Sequence, residues 1–511
     1  MQIPRRLHSG ETDDFLLTAR PVPRAPASLR LGLLALLWGG MLAPPGFAAA
    51  PPPNFVVFLT DNMGNGDLGC FGSKVHRTPN VDRVVAEGMT FTSFYAASPV
   101  CTATRASLMT GCYPLRVDMH AGANNAGVIQ PISRKGMNPE ESTIAEVLKT
   151  VGYATGIFGK WHLGDQPEFL PTRQGFDEFF GLPYAENQGR RPDVAGRHPS
   201  TWPELPLMRG EKVIEAPPDR DFLIQRTTEE AIGFLERNHR RPFFIYVAQA
   251  APGSTARPFF SPAFQGKSAN GAYGDCIEEL DWSTGAIMAT LKRLGVDGNT
   301  LLVWTADNGP VERHPPQGSA APYKGFGYST SEGGQRMPCI MRWPGRIPAG
   351  VTSDAIATTM DLLPTFAALA RAPLPARPID GHDIGPLIFE RAGNRSPWDE
   401  VGFCYYQLEQ LQAVRAGPWK LYLPFENKYQ THVGLRNARP SRTELYDVRH
   451  DVSEEREVSA KHPEVVQRLR AMAERTRREI GDTGVTGQGH RPAGWVETAR
   501  PLLLLAPGSG G

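Results

Sequence analysis

Four groups of residues carry side chains suited to hydrolytic chemistry. In Cys101-Thr102-Ala103-Thr104-Arg105 a thiol stands four residues ahead of a guanidinium. Asp61 and Asn62, far along the chain from Asp307 and Asn308, offer four oxygen donors, the ligand set a hard divalent cation needs. Gly159-Lys160-Trp161-His162-Leu163-Gly164 places an ammonium and an imidazole on one glycine-bounded loop. Taken singly, each has a plain explanation. A cysteine near an arginine is commonly a small buried apolar residue beside a surface charge. Asn308-Gly309 is a turn signal and Asp61 a strand terminator.

Their order along the chain changes that. The run from Val100 to Gly111 resembles the sulfatase signature C-x-P-x-R. Thr60-Asp61-Asn62-Met63-Gly64, Gly159-Lys160-Trp161-His162-Leu163-Gly164, Ala306-Asp307-Asn308-Gly309 and Glu332-Gly333-Gly334-Gln335-Arg336-Met337-Pro338 resemble further sulfatase elements. The resemblance covers residues 54 to 450. It implies that Cys101 is the precursor of a formylglycine (3-oxoalanine) made by a maturation enzyme, whose hydrate attacks the sulfur of a sulfate ester. It implies Ca2+ held by Asp61, Asn62, Asp307, Asn308 and the modified Cys101. Arg105 then stabilises the nucleophile and the metal cluster, Lys160 pairs with a sulfate oxygen, and His162 hydrogen-bonds the nucleophile.

The sequence departs from the family's pattern at four positions. Asn62 stands where a second aspartate is usual, Ala103 replaces the signature proline, Gly253 replaces a histidine, and Gly327 replaces a lysine. Lys324, three residues before Gly327, either reaches the substrate from that shifted position or is an ordinary exposed lysine. Loss of a general acid typically costs about 10² to 10⁴ in rate, and loss of one charge-stabilising donor about 10² to 10³. Two functions therefore compete: a sulfuric ester hydrolase acting on a sulfated small molecule or polysaccharide, and a sulfatase-fold protein that binds sulfated glycans without cleaving them. A phosphatase on a related scaffold is a third, with Thr102 or Thr104 as nucleophile.

The elements that must position these residues are those of an α/β fold. Continuous β-branched and aromatic runs at 54–60, 242–248 and 300–305 read as strands buried on both faces of a sheet. Helical segments are expected at 81–87, at 142–151 with Ser142 as N-cap, at 227–238 and at 276–294. This alternation predicts a large, mostly parallel sheet flanked by helices, with sites at the strands' carboxyl ends; the resemblance makes it alkaline-phosphatase-like. Short strand-like pieces at 401–406, 412–415, 419–423 and 445–448, then an amphipathic helix at 463–480, predict a smaller antiparallel sheet with a terminal helix. The expected organisation is a signal peptide at 1–50, a catalytic domain at 51–395, a small-sheet subdomain at 396–482 and a Gly/Pro-rich tail at 483–511.

Composition excludes several classes. The 54 basic and 53 acidic residues of the 511 give a net charge of +1, which offers no global attraction for nucleic acid or a membrane surface. The apolar run at 31–42, between Arg30 and small residues ending at Ala50, reads as an export signal and is too short to span a bilayer. Six cysteines (70, 101, 112, 276, 339, 404) permit disulfides without fixing their pairing. The single N-x-S/T sequon, Asn394-Arg395-Ser396, favours a bacterial periplasmic or secreted protein over a lysosomal one.

Overall fold

The computed structural model describes residues 51–190, 202–255, 257–313, 317–389, 395–425 and 442–502. The export signal, the sequon Asn394 and part of the proline-rich insertion at 185–217 lie outside the described residues.

The core is a ten-stranded sheet. In chain order its strands are β1 (Asn54–Asp61), β2 (Met89–Phe91), β3 (Ala154–Lys160), β4 (Glu178–Leu182), β5 (Leu207–Arg209), β6 (Lys212–Glu215), β7 (Phe243–Pro252), β8 (Thr300–Ala306), β9 (Cys339–Arg342) and β10 (Val351–Ser353). They are arranged β10-β2-β9-β8-β1-β7-β3-β4-β5-β6. The central five, β8-β1-β7-β3-β4, are mutually parallel. Antiparallel pairings enter on either side, so the sheet is mixed, with its parallel part at the centre. Every residue of β1, β7 and β8 is buried, which is why these strands read as unbroken apolar runs.

Helices α1 (Pro79–Glu87), α4 (Leu223–Asn238) and α5 (Gly271–Arg293) pack on one another and on the sheet, while α2 (Cys101–Thr110), α3 (Ile144–Lys149) and α6 (Leu362–Ala370) form a second group. The N-cap of α3 is Thr143, one residue beyond the expected Ser142. Its hydroxyl accepts from the Glu146 amide, and the Glu146 carboxylate accepts from the Thr143 amide, a reciprocal pair that Ser142 cannot make. The stacked rings of Phe55 and Phe366, 4.3 Å apart, tie α6 to β1.

A four-stranded antiparallel sheet follows, β11 (Phe403–Gln407), β12 (Gln410–Ala416), β13 (Trp419–Tyr422) and β14 (Glu444–Asp447), covered by α7 (Pro463–Glu479). It has its own apolar cluster, but Tyr95, Tyr113 and Met360 of the large domain belong to that cluster too. The described residues from Pro51 onward accordingly form one compact unit. The described part of the Gly/Pro-rich tail is built into the large domain: Gly494 and Trp495 pair with Gly136 and Lys135, and Arg491 grips Glu141 at 2.7 Å. All six cysteines are free thiols. No helix among the described residues is long and apolar enough to cross a membrane.

Candidate active site

Three strand ends and one helix start converge. The parallel register of β1 and β8 pairs Thr60 with Ala306, so that Asp61 and Asp307 leave the sheet side by side. β3 ends at Lys160. Gly159, just before it, has φ +114°, and a Cβ there would sit 1.9 Å from the Ala248 carbonyl oxygen of β7, so only glycine lets the two strands meet. Cys101 is the first residue of α2, a helix buried along its whole length and closed by Gly111 in the left-handed region. Its N-terminal amides and the positive end of its dipole favour an anion at this point.

Arg105 joins these ends. It is fully buried; its Nη2 donates to Asp61 Oδ2 at 2.8 Å and Asp307 Oδ2 at 2.9 Å, and its Nη1 to the Lys160 carbonyl at 2.8 Å. Lys160 Nζ lies 2.5 Å from Asp61 Oδ2. Burial alone would raise the Asp61 carboxyl, but Lys160 and Arg105 outweigh it and hold it at about 2. Burial and then the neighbouring Asp61 push Asp307 up to about 6. Burial, followed by Asp307 and Asp61, drives the Cys101 thiol well above its ordinary value, so the unmodified side chain is a protonated and weak nucleophile.

The donor set suits a hard cation. Asp61, Cys101 and Asp307 each place one donor atom within 4.8 Å of the others. Asn308 Oδ1 is buried with no hydrogen-bond partner, which an oxygen-seeking cation would satisfy. Asn62 is engaged differently: its Oδ1 accepts from Asn308 Nδ2 at 2.5 Å, and its Nδ2 donates to Asp61 Oδ1 at 2.6 Å and Ser254 Oγ at 3.0 Å.

A cavity of about 380 Å³ opens over Cys101, with His162, Trp202, Ser254, Tyr328 and Gln407 in its wall. His162 stands just beyond β3 at φ +64°. Its Nε2 donates to the Ile129 carbonyl at 3.0 Å, which leaves Nδ1 as a buried acceptor without a partner. Burial, then Lys160 and Arg105, hold the ring well below its ordinary pKa, so it is neutral. Thr102 and Thr104 are spent on structure: Thr102 Oγ1 bonds the His162 carbonyl and the Ile129 amide, and Thr104 Oγ1 bonds the Ser98 carbonyl. Neither is available as a nucleophile.

Asp61, Asn62, Cys101, Arg105, Lys160, His162, Asp307 and Asn308 are thus brought together. Two expectations change. Lys160 is the last residue of a strand, not part of a loop, and its ammonium is committed to Asp61 beneath the cavity. Lys324 is exposed, directs Nζ to the Glu454 carbonyl at 3.4 Å, and is not among the residues lining the cavity over Cys101. Gly253 lies at φ +69°, where a side chain is strained, and Gly327 is crowded by backbone. A Cβ on Gly253 would lie 2.4 Å from Glu186 Oε1, and one on Gly327 would lie 2.4 Å from the Gly309 carbonyl oxygen. Glu186, Ser254 and Tyr328 were not singled out from the sequence. The hint was position: Ser254 and Tyr328 each directly follow one of those glycines.

Residues 53–372 match the family model described as sulfatase, and residues 324–479 match the one described as N-sulphoglucosamine sulphohydrolase, C-terminal. The chain is 39% identical to arylsulfatase A of Homo sapiens over 416 residues, covering 78% of each protein. It is 38% identical to N-acetylgalactosamine-6-sulfatase of Sus scrofa, covering 78% of this chain and 76% of that one. Among solved structures, the PsFucS1 sulfatase from Pseudoalteromonas sp. superposes with a TM-score of 0.70 at 25% identity, over 83% of this chain and 91% of that one. The converging motifs and these matches agree: the chain belongs to the sulfatase family, hydrolases of sulfate esters.

Proposed function

We propose that the protein is an exported, calcium-dependent sulfatase whose nucleophile is a formylglycine derived from Cys101. The observation that carries this reading is the buried cluster of Asp61, Asp307, Asn308 and Cys101, with Arg105 and Lys160 balancing its charge. Ca2+ would be held by Asp61, Asp307 and Asn308, with Asn62 as a weaker fourth donor. Bound there, it would orient sulfate oxygens and act as a Lewis acid. Asn62 in place of an aspartate removes one negative charge and lowers the affinity for that ion.

The chain's own residues supply the rest. Arg105 fixes both carboxylates. The amides at the start of α2 face the sulfate. The unprotonated His162 Nδ1 accepts the proton of the attacking hydroxyl. Maturation of Cys101 requires a modifying enzyme that accepts Ala103 in the signature. The substrate is a sulfated small molecule or carbohydrate.

The test is hydrolysis of 4-nitrophenyl sulfate with added Ca2+ by protein matured in its natural host, compared with Cys101→Ala. Turnover abolished in the variant supports the reading. Binding of a sulfated glycan, with no release of sulfate and no affinity for the desulfated glycan, would replace it with the non-hydrolytic function, which the missing imidazole at Gly253 favours. Zinc-dependent phosphate release surviving in Cys101→Ala would point to a phosphatase.

A further inference from the structure

Ser254 Oγ and Tyr328 OH lie 2.7 Å apart, and both side chains line the cavity that contains Cys101 and His162. The pair is fixed from several directions. Asn62 Nδ2 donates to Ser254 Oγ at 3.0 Å, and the Ser254 amide donates to Glu186 Oε1 at 3.1 Å. Tyr328, at φ +65°, is pinned through its amide to the Pro99 carbonyl at 3.0 Å, and its own carbonyl accepts from Gln407 Nε2 of the small sheet at 2.6 Å. A tyrosine in the left-handed region needs such support.

Hydrolysis of an ester with a poor leaving group needs a proton donor for the departing oxygen. His162 cannot serve. Its one proton, on Nε2, is committed to the Ile129 carbonyl, and its other nitrogen is a bare acceptor. Lys160 and Arg105 are bound to Asp61 and Asp307. With Asn62 donating to Ser254, the serine hydroxyl can donate to the Tyr328 oxygen, an arrangement that points the phenolic proton towards the cavity. Burial holds that hydroxyl well above its ordinary pKa, so it carries its proton at neutral pH.

We propose that Tyr328 is the catalytic acid that protonates the leaving oxygen and that Ser254 is the residue that positions it, an inference that rests on the hydrolytic reading above. The bond between sulfur and the ester oxygen breaks with its electron pair left on that oxygen. The oxygen takes the Tyr328 proton and departs as a neutral alcohol. The attacking hydroxyl loses its own proton to His162 Nδ1 on bonding to sulfur; His162 releases that proton to solvent, and solvent returns a proton to the Tyr328 phenolate.

The experiment compares full-length wild type, Tyr328→Phe and Ser254→Ala on two esters: 4-nitrophenyl sulfate, whose leaving group departs unprotonated, and cyclohexyl sulfate, whose leaving group needs a proton. Tyr328→Phe should lower the alkyl-to-aryl ratio of kcat by about 10²-fold or more, the loss lying in kcat and not in KM. Ser254→Ala should move the ratio the same way by less, and it tests the pair if Tyr328→Phe does not fold. An equal loss on both esters, or a ratio that stays at the wild-type value, overturns the proposal. Wild type that hydrolyses neither ester overturns the hydrolytic reading itself.

Discussion

The carboxylates of Asp61 and Asp307 share one nitrogen of Arg105, Nη2, at 2.8 and 2.9 Å. One buried guanidinium therefore neutralises the ends of two neighbouring parallel strands. Removing it leaves two carboxylates buried together. Arg105→Ala should destabilise the protein by about 3 to 5 kcal/mol, as for other broken buried ion pairs. Urea unfolding checks this, and a loss below about 1 kcal/mol, the scale of a surface pair, would contradict it.

Calcium should stabilise the native state by mass action. At a hundred times its Kd, a ligand specific to the folded protein adds about 2.7 kcal/mol. The thermal midpoint should rise with added Ca2+ and return on chelation. Asn62→Asp should tighten binding by restoring a negative ligand, which calorimetric titration of the two proteins would show.

Restoring a histidine at position 253 should fail on its own. The site has φ +69°, and the added Cβ meets Glu186. Gly253→His should cost about 1 to 3 kcal/mol of stability through backbone strain and overpacking. Glu186→Ala should relieve part of that cost in the double variant, and additive losses in a double-mutant cycle would refute the collision.

The small sheet is clamped to the large domain through Glu332, whose carboxylate meets Lys420 Nζ at 2.9 Å, Arg336 Nη1 at 3.0 Å and Tyr95 OH at 2.6 Å. Burial would raise this carboxyl, but Lys420, Arg336 and Arg415 hold it far below its usual 4.5. A depressed pKa contributes stability that is complete above 4.5 and is lost as pH falls towards the folded value. The stability gap between wild type and Glu332→Gln should therefore narrow below pH 4.5, as read from denaturation at a series of acid pH values. Asp361 has the opposite sign. Burial pushes it up to about 7, so its contribution is complete below 3.8 and lost as pH rises through 7.

Much of this architecture was legible because it depends on local pattern. The unbroken apolar runs of β1, β7 and β8 read as strands buried on both faces, which put Asp61 and Asp307 at strand ends; that the two strands are neighbours is seen only in the fold. The antiparallel margins were less visible, since short strands such as Met89–Phe91 and Val351–Ser353 have too few residues to show a period. Where Lys324 points is not legible in the sequence, because its distance along the chain from Gly327 says nothing of direction; its ammonium lies 3.4 Å from the Glu454 carbonyl. Glu186, Ser254 and Tyr328 come from three separate loops and meet only in the fold. No spacing encodes them.

The most direct measurement is the mass and aldehyde reactivity of the peptide containing Cys101, taken from protein purified from its natural host. A residue lighter than cysteine that reacts with a hydrazide probe is the predicted result, and it would establish the nucleophile despite Ala103. An unmodified thiol in that material would contradict the formylglycine mechanism and leave the cavity as a binding site for sulfated ligands.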